Sequence, residues 1–546
     1  MQQMRGAAGS AVAMVILVAG SALAAPGALP SNGTQVNKDP ARGIDPTKSG
    51  GRTDVVGGSL TAGGAESPWI AFEQKSGSGQ HIFVRVFKSG AWKTQGQSLN
   101  IDPAAQAEGP AIDFAGPNRA TPWVAWYEPS SDLGGALQVF ASRFCAAANA
   151  VCSAANVWIP EGQDRSGGNA IPSLNIHTDR DAENPSIAGG ATTAGNDPGP
   201  WVAWQEKDGN IASSGTHDQI FVSKPVKLGS AGAACPVGTK PAGGPSVSFF
   251  CWQQVGLERL AKSGSNVGAT DPTLNVDPSR AGVEPDVAFT GPSDTVTWVV
   301  WYEEGASHLG LHSNAMVFAA KVVANGGADG GFAWRAEGRD TASFDGTLDN
   351  SGTNSFGACA ESSANEERCA LNKNVNKDAV DARVASGTLT DAGTTVPWVV
   401  WSEDLGGGTH GIFISRLVNG DHFELFNAGQ PVSTITRNAT KPDIEFLGHV
   451  PYVSWLEKVS GKERLFVGHF KNAATSPQFV LDTPGGVKLL PGTTITTVTG
   501  FRQPIATTCQ ANPFTSDGSA CPGGTRFPFF SFTKVGSPQR IFAQHR

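Results

Sequence analysis

A motif that recurs seven times along the chain restricts the fold more than any other feature. Its core is an aromatic residue, two small or β-branched residues and a second aromatic residue, with Glu two positions later in five copies. The seven cores begin at Trp69, Trp123, Trp201, Trp298, Trp398, Tyr452 and Phe529. Repetition at such intervals predicts an array of similar units that share one continuous core.

Every core has related segments on both sides. One precedes it, such as PDVAFTG at 285–291, and one follows it, such as MVFAAKV at 316–322. A more variable fourth segment ends in Leu-Asn, as at Leu99-Asn100. Because these segments are rich in β-branched and aromatic residues and are separated by turn residues, they predict four short strands, a to d, in every unit. Cores such as Trp298-Val-Val-Trp301 are apolar on both sides of the pleat, so both faces should be buried.

Four-stranded antiparallel units that are buried on both faces are typical of blades stacked around an axis. We therefore predict an all-β chain that forms a single seven-bladed β-propeller over residues 25–546. The last unit ends at its strand c, whereas Gln35-Val-Asn37 resembles Ser98-Leu-Asn100 at the end of a strand d. Residues 33–40 should therefore supply the outer strand of the seventh blade and close the ring. A right-handed parallel β-helix is the alternative, but it would need shorter and more regular repeats.

The composition agrees with a folded, turn-rich β protein. The 546 residues include 68 Gly and 35 Pro for turns, and 14 Trp and 28 Phe for a core. The net charge of −8 lacks the basic footprint of a nucleic-acid-binding protein. After residue 25 no apolar run approaches the roughly 20 residues that cross a bilayer. We expect a monomer with no nucleic-acid partner and no membrane span in the mature chain.

The first 24 residues have the pattern of a secretory signal peptide. Arg5 supplies a positive charge, residues 11–19 form an apolar stretch, and Ala22-Leu23-Ala24 is a small-residue cleavage signal. An uncleaved anchor helix is the alternative. The pattern predicts a chain that is secreted or periplasmic.

The eight cysteines form four couples that are close in sequence, and we place all of them in long insertions between strands. The couples are Cys145/Cys152, Cys235/Cys251, Cys359/Cys369 and Cys509/Cys521. The sequence does not fix their connectivity, but this proximity favours pairing within each couple, so that each disulfide closes a loop. Metal binding would favour C-x-x-C spacing, which is absent, whereas structural disulfides suit an exported protein.

Acidic and basic residues recur at two places in the repeat. Strand b ends in Glu in five units: Glu128, Glu206, Glu303, Glu403 and Glu457. The connection from strand d to the next strand a carries a basic residue: Arg180, Arg280, Lys377 and Arg437. Both places belong to the same face of an up-and-down blade. These residues could join blades as Glu–Arg pairs or cap loop N–H groups, or a subset could face the central cavity and bind an anionic or polyhydroxyl ligand.

Other known chemistries have little support in the sequence. Four histidines lie just before strand c, namely His81, His217, His312 and His410. A Glu and a His on one hairpin could ligate a metal, but these residues belong to different blades, and we predict no metal site and no cofactor. The G-x-S-x-G, Walker A and H-E-x-x-H motifs are absent.

The repeat resembles the tandem repeats of exported bacterial propeller proteins that are described as sialidase-like or uncharacterised. The residues that carry the resemblance are P-W-V-A-W-x-E with I-F-V-x-R and L-N-x-D around it, over residues 33–546. Sialidases have Asp-box turns between strands c and d, but the partial matches at 130–134 and 402–406 follow strand b and lack the Trp. Tyr127 and Glu128 are adjacent on one strand, so they point to opposite faces and cannot form a catalytic Tyr–Glu pair with each other.

Repetition without a unique catalytic constellation favours an exported, non-enzymatic propeller that binds a glycan or a protein partner. The alternative is a carbohydrate-active hydrolase or lyase with its site on the central face. For glycoside hydrolysis two of the strand-b glutamates would have to stand about 5–10 Å apart. A redox-cofactor propeller is a further alternative with no support in the sequence.

Overall fold

The computed structural model describes most of the chain after residue 33. The described residues are 34–61, 64–116, 119–148, 154–161, 173–190, 199–208, 217–227, 239–241, 250–255, 273–277, 280–291, 294–305, 313–324, 332–339, 369–390, 393–420, 422–490, 493–494, 498–499, 505–510, 525–534 and 537–545. The predictions for the signal peptide, for His312 and for Cys152, Cys235, Cys359 and Cys521 fall outside them.

The described residues form seven antiparallel blade sheets that follow one another along the chain, besides one two-stranded hairpin. Five of the blade sheets have four strands in the order a-b-c-d. The first blade contains β2 (Gly50–Gly58), β3 (Ser67–Ser76), β4 (Gly79–Lys88) and β5 (Ala91–Thr94). The second contains β6 (Glu108–Ala115), β7 (Thr121–Pro129), β8 (Leu137–Cys145) and β9 (Val157–Glu161). The third contains β10 (Ala182–Ala188), β11 (Trp201–Asp208), β12 (His217–Lys227) and β14 (Phe250–Gln254), with β13 (Thr239–Pro241) as an additional outer strand.

The next three blades repeat the four-stranded pattern. The fourth contains β15 (Ala281–Thr290), β16 (Val296–Glu304), β17 (Met316–Ala324) and β18 (Phe332–Ala336). The fifth contains β19 (Ala379–Gly387), β20 (Val396–Gly406), β21 (Thr409–Val418) and β22 (His422–Leu425). The sixth contains β23 (Ala439–Leu447), β24 (Val450–Val459), β25 (Lys462–Lys471) and β26 (Gln478–Leu481). A small hairpin of β27 (Lys488–Leu490) and β28 (Thr493–Thr494) follows.

The seventh blade is built from both ends of the described chain, as predicted. Its strands are β29 (Val498–Thr499), β30 (Ile505–Gln510), β31 (Thr525–Lys534), β32 (Arg540–His545) and β1 (Thr34–Gln35). The outer strand β1 pairs antiparallel with β32. Arg85 of the first blade then donates hydrogen bonds to the backbone oxygens of Val36 and Lys38. The ring is therefore closed by a segment that bonds to the last and the first blade.

The inner strands form a closed ring around the axis, because β2, β6, β10, β15, β19, β23 and β30 each contact the next and β30 contacts β2. Seven hydrophobic clusters lie at the seams, one between each pair of neighbouring blades, and a small eighth cluster of Cys145 and Ile159 lies within the second blade. This arrangement confirms the predicted seven-bladed β-propeller. Helical structure among the described residues is confined to short segments, such as the 3₁₀ turns Pro40–Arg42, Ser131–Leu133 and Asn427–Gly429.

The repeated aromatic residues fill these seams. Trp398 packs edge-to-face on Phe446 of the following blade, with ring centroids 5.3 Å apart. A side chain at Gly387 would collide with that phenylalanine, which is why the inner strand has glycine there. Trp401, the second tryptophan of the same motif, instead stacks on Phe413 of its own blade. The two aromatic positions therefore fill different seams: Trp398 belongs to the cluster shared with the sixth blade, and Trp401 belongs to the cluster shared with the fourth blade.

The structure corrects the placement of three cysteines that were predicted to lie in long insertions. Cys145 is the last residue of β8 and pairs with Val157 of β9. Cys251 lies in β14, which pairs with β12 as the fourth strand of the third blade. Cys509 lies in β30, the inner strand of the seventh blade. The physical reason is clearest beside Cys251, because the next residue, Trp252, is buried at the seam and packs edge-to-face on Trp123. The prediction of a loop was therefore wrong for all three cysteines.

The disulfide pairing itself is only partly visible. Cys145 and Cys369 are each disulfide-bonded. Their predicted partners lie outside the described residues. The same holds for the predicted partner of Cys251, since Cys235 is not described, and for that of Cys509. Pairing within each couple therefore stays a prediction.

Membrane-spanning helices were not expected in the mature chain. In the described part of the chain, no helix combines the length and hydrophobicity needed to cross a bilayer.

Candidate functional site

The five strand-b glutamates lie at the seams, on the face formed by the b–c and d–a loops. Their residues are at most 2% exposed. In Glu206 the two carboxylate oxygens accept hydrogen bonds from the backbone N–H groups of Ile176 and His177, at 2.9 and 2.6 Å. The indole of Trp204, two residues earlier, donates a third at 2.9 Å. Glu206 thus holds the loop that leads into its own blade.

The other strand-b glutamates repeat this capping arrangement. Each accepts from the indole N–H two residues earlier and from one or two backbone N–H groups of the preceding loop, as in Glu128, Glu303, Glu403 and Glu457. Burial raises the pKa of Glu128 to about 7 and that of Glu303 to about 8. Burial is also the main reason why the pKa of Glu403 is raised.

The basic residues of the d–a connections take several roles. Arg437 forms an ion pair with Glu457 at 2.9 Å. Arg280 is fully buried and donates to the backbone oxygen of Glu303 rather than to its carboxylate. Lys377 pairs with Asp404, and Arg180 lies half-buried in its loop. The protein itself hydrogen-bonds the carboxylates of all five glutamates, and other residues form the candidate site.

A β-bulge near the start of the inner strand supplies those residues. In the first six blades the pairing of strands a and b shifts register there. The residues at the equivalent bulge position are Arg52, Gly109, Asn184, Glu284, Asp381 and Lys441. Five of them have positive φ, between 49° and 61°. Bulges redirect side chains and are common beside active sites. Here the residue type differs in each of these six blades although the position repeats.

The side chains of these bulge residues converge on the axis at the face that carries the b–c and d–a loops. Arg52 of the first blade donates to Asn184 of the third blade, at 3.1 Å, across the second blade. Gly109 permits this approach, because a side chain there would meet Tyr127 at 2.6 Å and the Arg52 guanidinium at 3.3 Å. We call this polar surface the axial mouth. Its residues are Arg52, Glu108, Tyr127, Asn184, Gln205, Glu284, Asp381, Arg383 and Lys441.

A tyrosine and a glutamate from neighbouring strands meet in the axial mouth. The Tyr127 hydroxyl donates to Glu108 at 3.1 Å and accepts from Arg52 at 2.9 Å. Burial raises the pKa of Tyr127, so the phenol stays protonated at neutral pH. Tyr127 therefore has a carboxylate partner, but this is Glu108, its register partner on β6, and not the adjacent Glu128.

The other side of the axial mouth is held by amide and ion-pair contacts. Gln205 accepts from the Asn184 side chain at 3.1 Å and from the backbone N–H of Glu284 at 2.9 Å. Glu284 in turn accepts from Arg383 at 3.0 Å. Asp381 accepts from the backbone N–H of Lys441 at 3.0 Å. The bulges of neighbouring blades are thus fixed to one another.

Several carboxyl groups in and around the axial mouth hold their protons more tightly than usual. Burial, and then the charge of Glu284, raises the pKa of Asp381 to about 6. Burial, and then Asp218, raises the pKa of both Glu183 and Glu304. Perturbed carboxyl groups in a cleft are typical of functional sites, although structural networks also produce them.

A larger cavity of about 720 Å³ occupies the opposite half of the channel. Its lining includes the carboxylates of Asp54, Asp113 and Asp286. Asp54 accepts from the backbone N–H of Ile112 at 2.8 Å, and Asp286 accepts from that of Val384 at 2.9 Å. These carboxylates connect the inner strand of one blade to the next. Among the described residues no group of three or more His, Cys, Asp or Glu could hold a metal ion.

The axial mouth was not predicted from the sequence, although the sequence contains a signal for it. In most repeats the bulge residue directly precedes proline in the inner strand, as in Gly109-Pro110 and Asn184-Pro185. A variable polar residue at a fixed place in a regular repeat is not required for stacking blades. The register shift that turns it towards the axis is visible only in the structure.

The fold and the site define a seven-bladed β-propeller with a polar axial mouth. No family model and no curated protein matches the chain. Solved structures that are similar in fold include the polysaccharide lyase Uly1, with a TM-score of 0.35, 11% identity and coverage of 83% of this chain and 92% of that one.

Two further solved structures are similar in fold. The GH93 alpha-L-arabinofuranosidase of Fusarium graminearum in complex with arabinobiose has a TM-score of 0.34, 10% identity and coverage of 80% and 96%. Trypanosoma rangeli sialidase in complex with sialic acid has a TM-score of 0.35, 9% identity and coverage of 77% and 54%. At these identities the likeness concerns the fold, and no residue role is transferred from it.

Proposed function

We propose that the chain binds a glycan in the axial mouth. The observation that carries this proposal is the convergence of residues that the repeat does not demand: Arg52, Asn184, Glu284, Asp381 and Lys441 occupy one repeated position with five different side chains. Seam positions keep the same residue type in blade after blade because their task is the same. Diversity at this one structurally repeated position supports an asymmetric ligand at the axis.

The chemistry of the axial mouth suits hydroxyl groups. Sugar hydroxyls both donate and accept hydrogen bonds, and the mouth offers guanidinium and amide donors beside carboxylate acceptors. A protein partner would favour exposed aromatic or large apolar anchors. Among the described residues the exposed large apolar side chains are Leu405, Ile435 and Leu481, and none belongs to the axial mouth. A glycan is therefore the better-supported ligand.

A glycan array probed with the purified chain and with Arg52→Gln tests this proposal. We expect the variant to lose at least about tenfold in affinity, because Arg52 joins the Tyr127 and Asn184 sides of the mouth. Arg416→Gln is the matched control, since Arg416 lies in β21 near the other face, stacked over Trp398. An array without any bound glycan for the unaltered chain contradicts the proposal.

Glycoside cleavage is a second candidate function, favoured by the Tyr127–Glu108–Arg52 contacts. Tyrosine can act as a covalent nucleophile, and some glycosidases use it in place of a carboxylate. Glu108 is placed to accept the phenolic proton, and Arg52 is placed to stabilise a developing phenolate. Release of reducing ends or unsaturated products from polysaccharides would establish activity. Activity that survives both Tyr127→Phe and Glu108→Gln would exclude this mechanism.

We also propose that the chain works outside the cytoplasm. The export pattern of residues 1–24 and the disulfide bonds of Cys145 and Cys369 support this location. Fractionation of cells that produce the full chain, with mass determination of the product, tests it. A full-length product in the cytoplasm contradicts the proposal.

A further inference from the structure

A small cavity lies at the floor of the axial mouth, between side chains that also bond to one another. Its volume is about 30 Å³. Inner-strand residues of five blades line it, including Arg52, Asn184, Glu284 and Arg383. This space exceeds the ~10–15 Å³ that one water needs, but it is too small for a sugar ring. It can therefore receive a single polar group.

One of the lining side chains has a buried donor that needs an acceptor. Arg383 is 2% exposed. Its terminal nitrogens donate to Glu284, at 3.0 Å, and to the backbone oxygen of Ala382, at 2.6 Å. Its Nε has no hydrogen-bond partner among the described residues. Since buried donors are rarely left unpaired, we expect an oxygen from outside the chain beside it.

The charges around the cavity favour a neutral group over an anion. The two guanidinium groups there are already compensated by carboxylates: Glu73 lies 3.8 Å from Arg52, and Glu284 lies 3.0 Å from Arg383. Asp286 and Asp381 add negative charge near Arg383, and Lys441 beside Asp381 adds one positive charge, so the carboxylates still outnumber the cations. A carboxylate or phosphate would meet this excess of negative charge. A hydroxyl group can accept from Arg383 Nε and donate to Glu284.

We propose that the floor cavity is a subsite for one neutral hydroxyl group of a bound sugar, and that water fills it when no sugar is bound. The subsite rests on the glycan binding proposed above and narrows the ligand class to neutral glycans. Arg383 is its main donor, and Glu284 is its main acceptor. Neutral oligosaccharides should therefore bind more tightly than uronic acid oligomers of the same length.

Calorimetric titration of the full chain tests the subsite. The neutral probes are pentaoses of glucose, xylose, arabinose and galactose, and the acidic probe is pentagalacturonate. Arg383→Lys keeps a positive charge for Glu284 but lacks the Nε donor. For whichever neutral probe the unaltered chain binds, we expect Arg383→Lys to weaken binding about tenfold. This loss corresponds to one hydrogen bond of a charged group. Arg416→Lys is the matched control and should bind like the unaltered chain.

The outcomes separate the subsite from the broader function. If the unaltered chain binds none of the probes, glycan binding and the subsite are both overturned. Normal binding of the neutral probe by folded Arg383→Lys, or tighter binding of pentagalacturonate by the unaltered chain, overturns the subsite alone. If Arg383→Lys does not fold, a crystal structure of the free chain decides: a water beside Arg383 Nε supports the subsite, and an empty cavity overturns it.

Discussion

The blade seams and the axial mouth use the same residue types in opposite ways. At the seams, glutamates such as Glu206 are buried, and each binds the indole and loop backbone of its own blade. In the axial mouth, Glu284 occupies a position that is Arg52 in one blade and Asn184 in another. Uniform residues therefore mark a task that every blade shares, whereas diverse residues at an equivalent position mark a surface where the blades act together.

The contrast concerns stability as well as ligand binding. A seam carboxylate satisfies up to three buried donors, so its removal leaves these donors unpaired. Arg52 of the axial mouth remains partly exposed, with 18% of its side chain accessible, whereas Tyr127 and Arg383 are buried. Water can replace part of what a substitution of Arg52 removes. Seam variants should therefore lose folding free energy, and Arg52 variants should mainly lose ligand affinity.

Removal of a seam glutamate should cause the largest loss in the free energy of unfolding. Glu206→Ala leaves two backbone N–H groups and the Trp204 indole without their acceptor. At about 1–3 kcal/mol for each buried unpaired donor, we expect a loss of about 4 kcal/mol in the free energy of unfolding. Denaturation in guanidinium chloride measures it. A loss below about 1 kcal/mol would show that the capping contacts are dispensable.

The seam carboxyl groups should also make stability depend on pH. The pKa of Glu128 rises from its ordinary value of 4.5 to about 7 because of burial. The native state therefore binds more protons than the unfolded state between these values, and the free energy of unfolding falls as pH rises through this window. The contribution of Glu128 is up to about 3 kcal/mol. Denaturation at pH 5 and pH 7.5 checks the sign, and Glu128→Gln should flatten the dependence.

A substitution in the segment that closes the ring should lower the free energy of unfolding, as a seam substitution does, but by a smaller amount. Asn37 is fully buried, accepts from the backbone N–H of Ile541 at 3.1 Å and donates to Gln74 at 3.0 Å. We expect Asn37→Ala to cost about 2 kcal/mol, since it leaves a buried donor and acceptor unpaired. Lys38→Ala, at the exposed neighbouring position, is the control. Equal melting temperatures for the two variants would contradict a closing role.

A substitution in the axial mouth should separate stability from ligand binding. Tyr127→Phe keeps the buried ring and removes the hydroxyl that contacts Glu108 and Arg52. We expect a stability loss of about 1 kcal/mol together with loss of glycan affinity or of any hydrolytic activity. Unchanged affinity in this variant would remove Tyr127 from the site and would weaken the contrast between mouth and seam.

The smallest effect is expected at the exposed neighbour of Glu206. Lys207 is 49% exposed and forms an ion pair with Asp181 at 2.7 Å. Exposed ion pairs contribute little, so Lys207→Ala should change the free energy of unfolding by about 0.5 kcal/mol or less. Measured beside Glu206→Ala, it shows whether burial and backbone capping, rather than charge, decide stability at the seam.

Much of the architecture could be predicted from local patterns. The recurrence of motifs such as Trp398-Val-Val-Trp401 indicates strands with two buried faces, and the structure places both tryptophans in seam clusters. The likeness of Gln35-Val-Asn37 to the end of a strand d indicates how the ring closes. These features depend on neighbouring residues and on repetition, which a single sequence displays directly.

The outer strand of the third blade shows where local patterns were insufficient. Cys251 was expected in a loop, but it lies in β14 beside the buried Trp252. Fourth strands vary in sequence from blade to blade, and this one follows a long insertion. Its place in the sheet is set by pairing with β12 and by packing against the second blade.

The capping role of the glutamates was one of two alternatives that the sequence left open. Glu403 bonds the backbone N–H groups of Lys373 and Asn374, about thirty residues earlier in the chain. Its partner is therefore a loop whose path is set by the fold. Spacing alone could not distinguish this role from a Glu–Arg pair, which occurs at Glu457 and Arg437.

By itself, the sequence determined the number of blades, the order of strands and the segment that closes the ring, because these follow from repetition along the chain. The tertiary structure decided which polar residues meet at the axis. Arg52 and Asn184 are 132 residues apart and bond only because a bulge in each inner strand turns them inward across Gly109. Such convergence depends on closure of the ring, which brings equivalent positions of separate blades to one place.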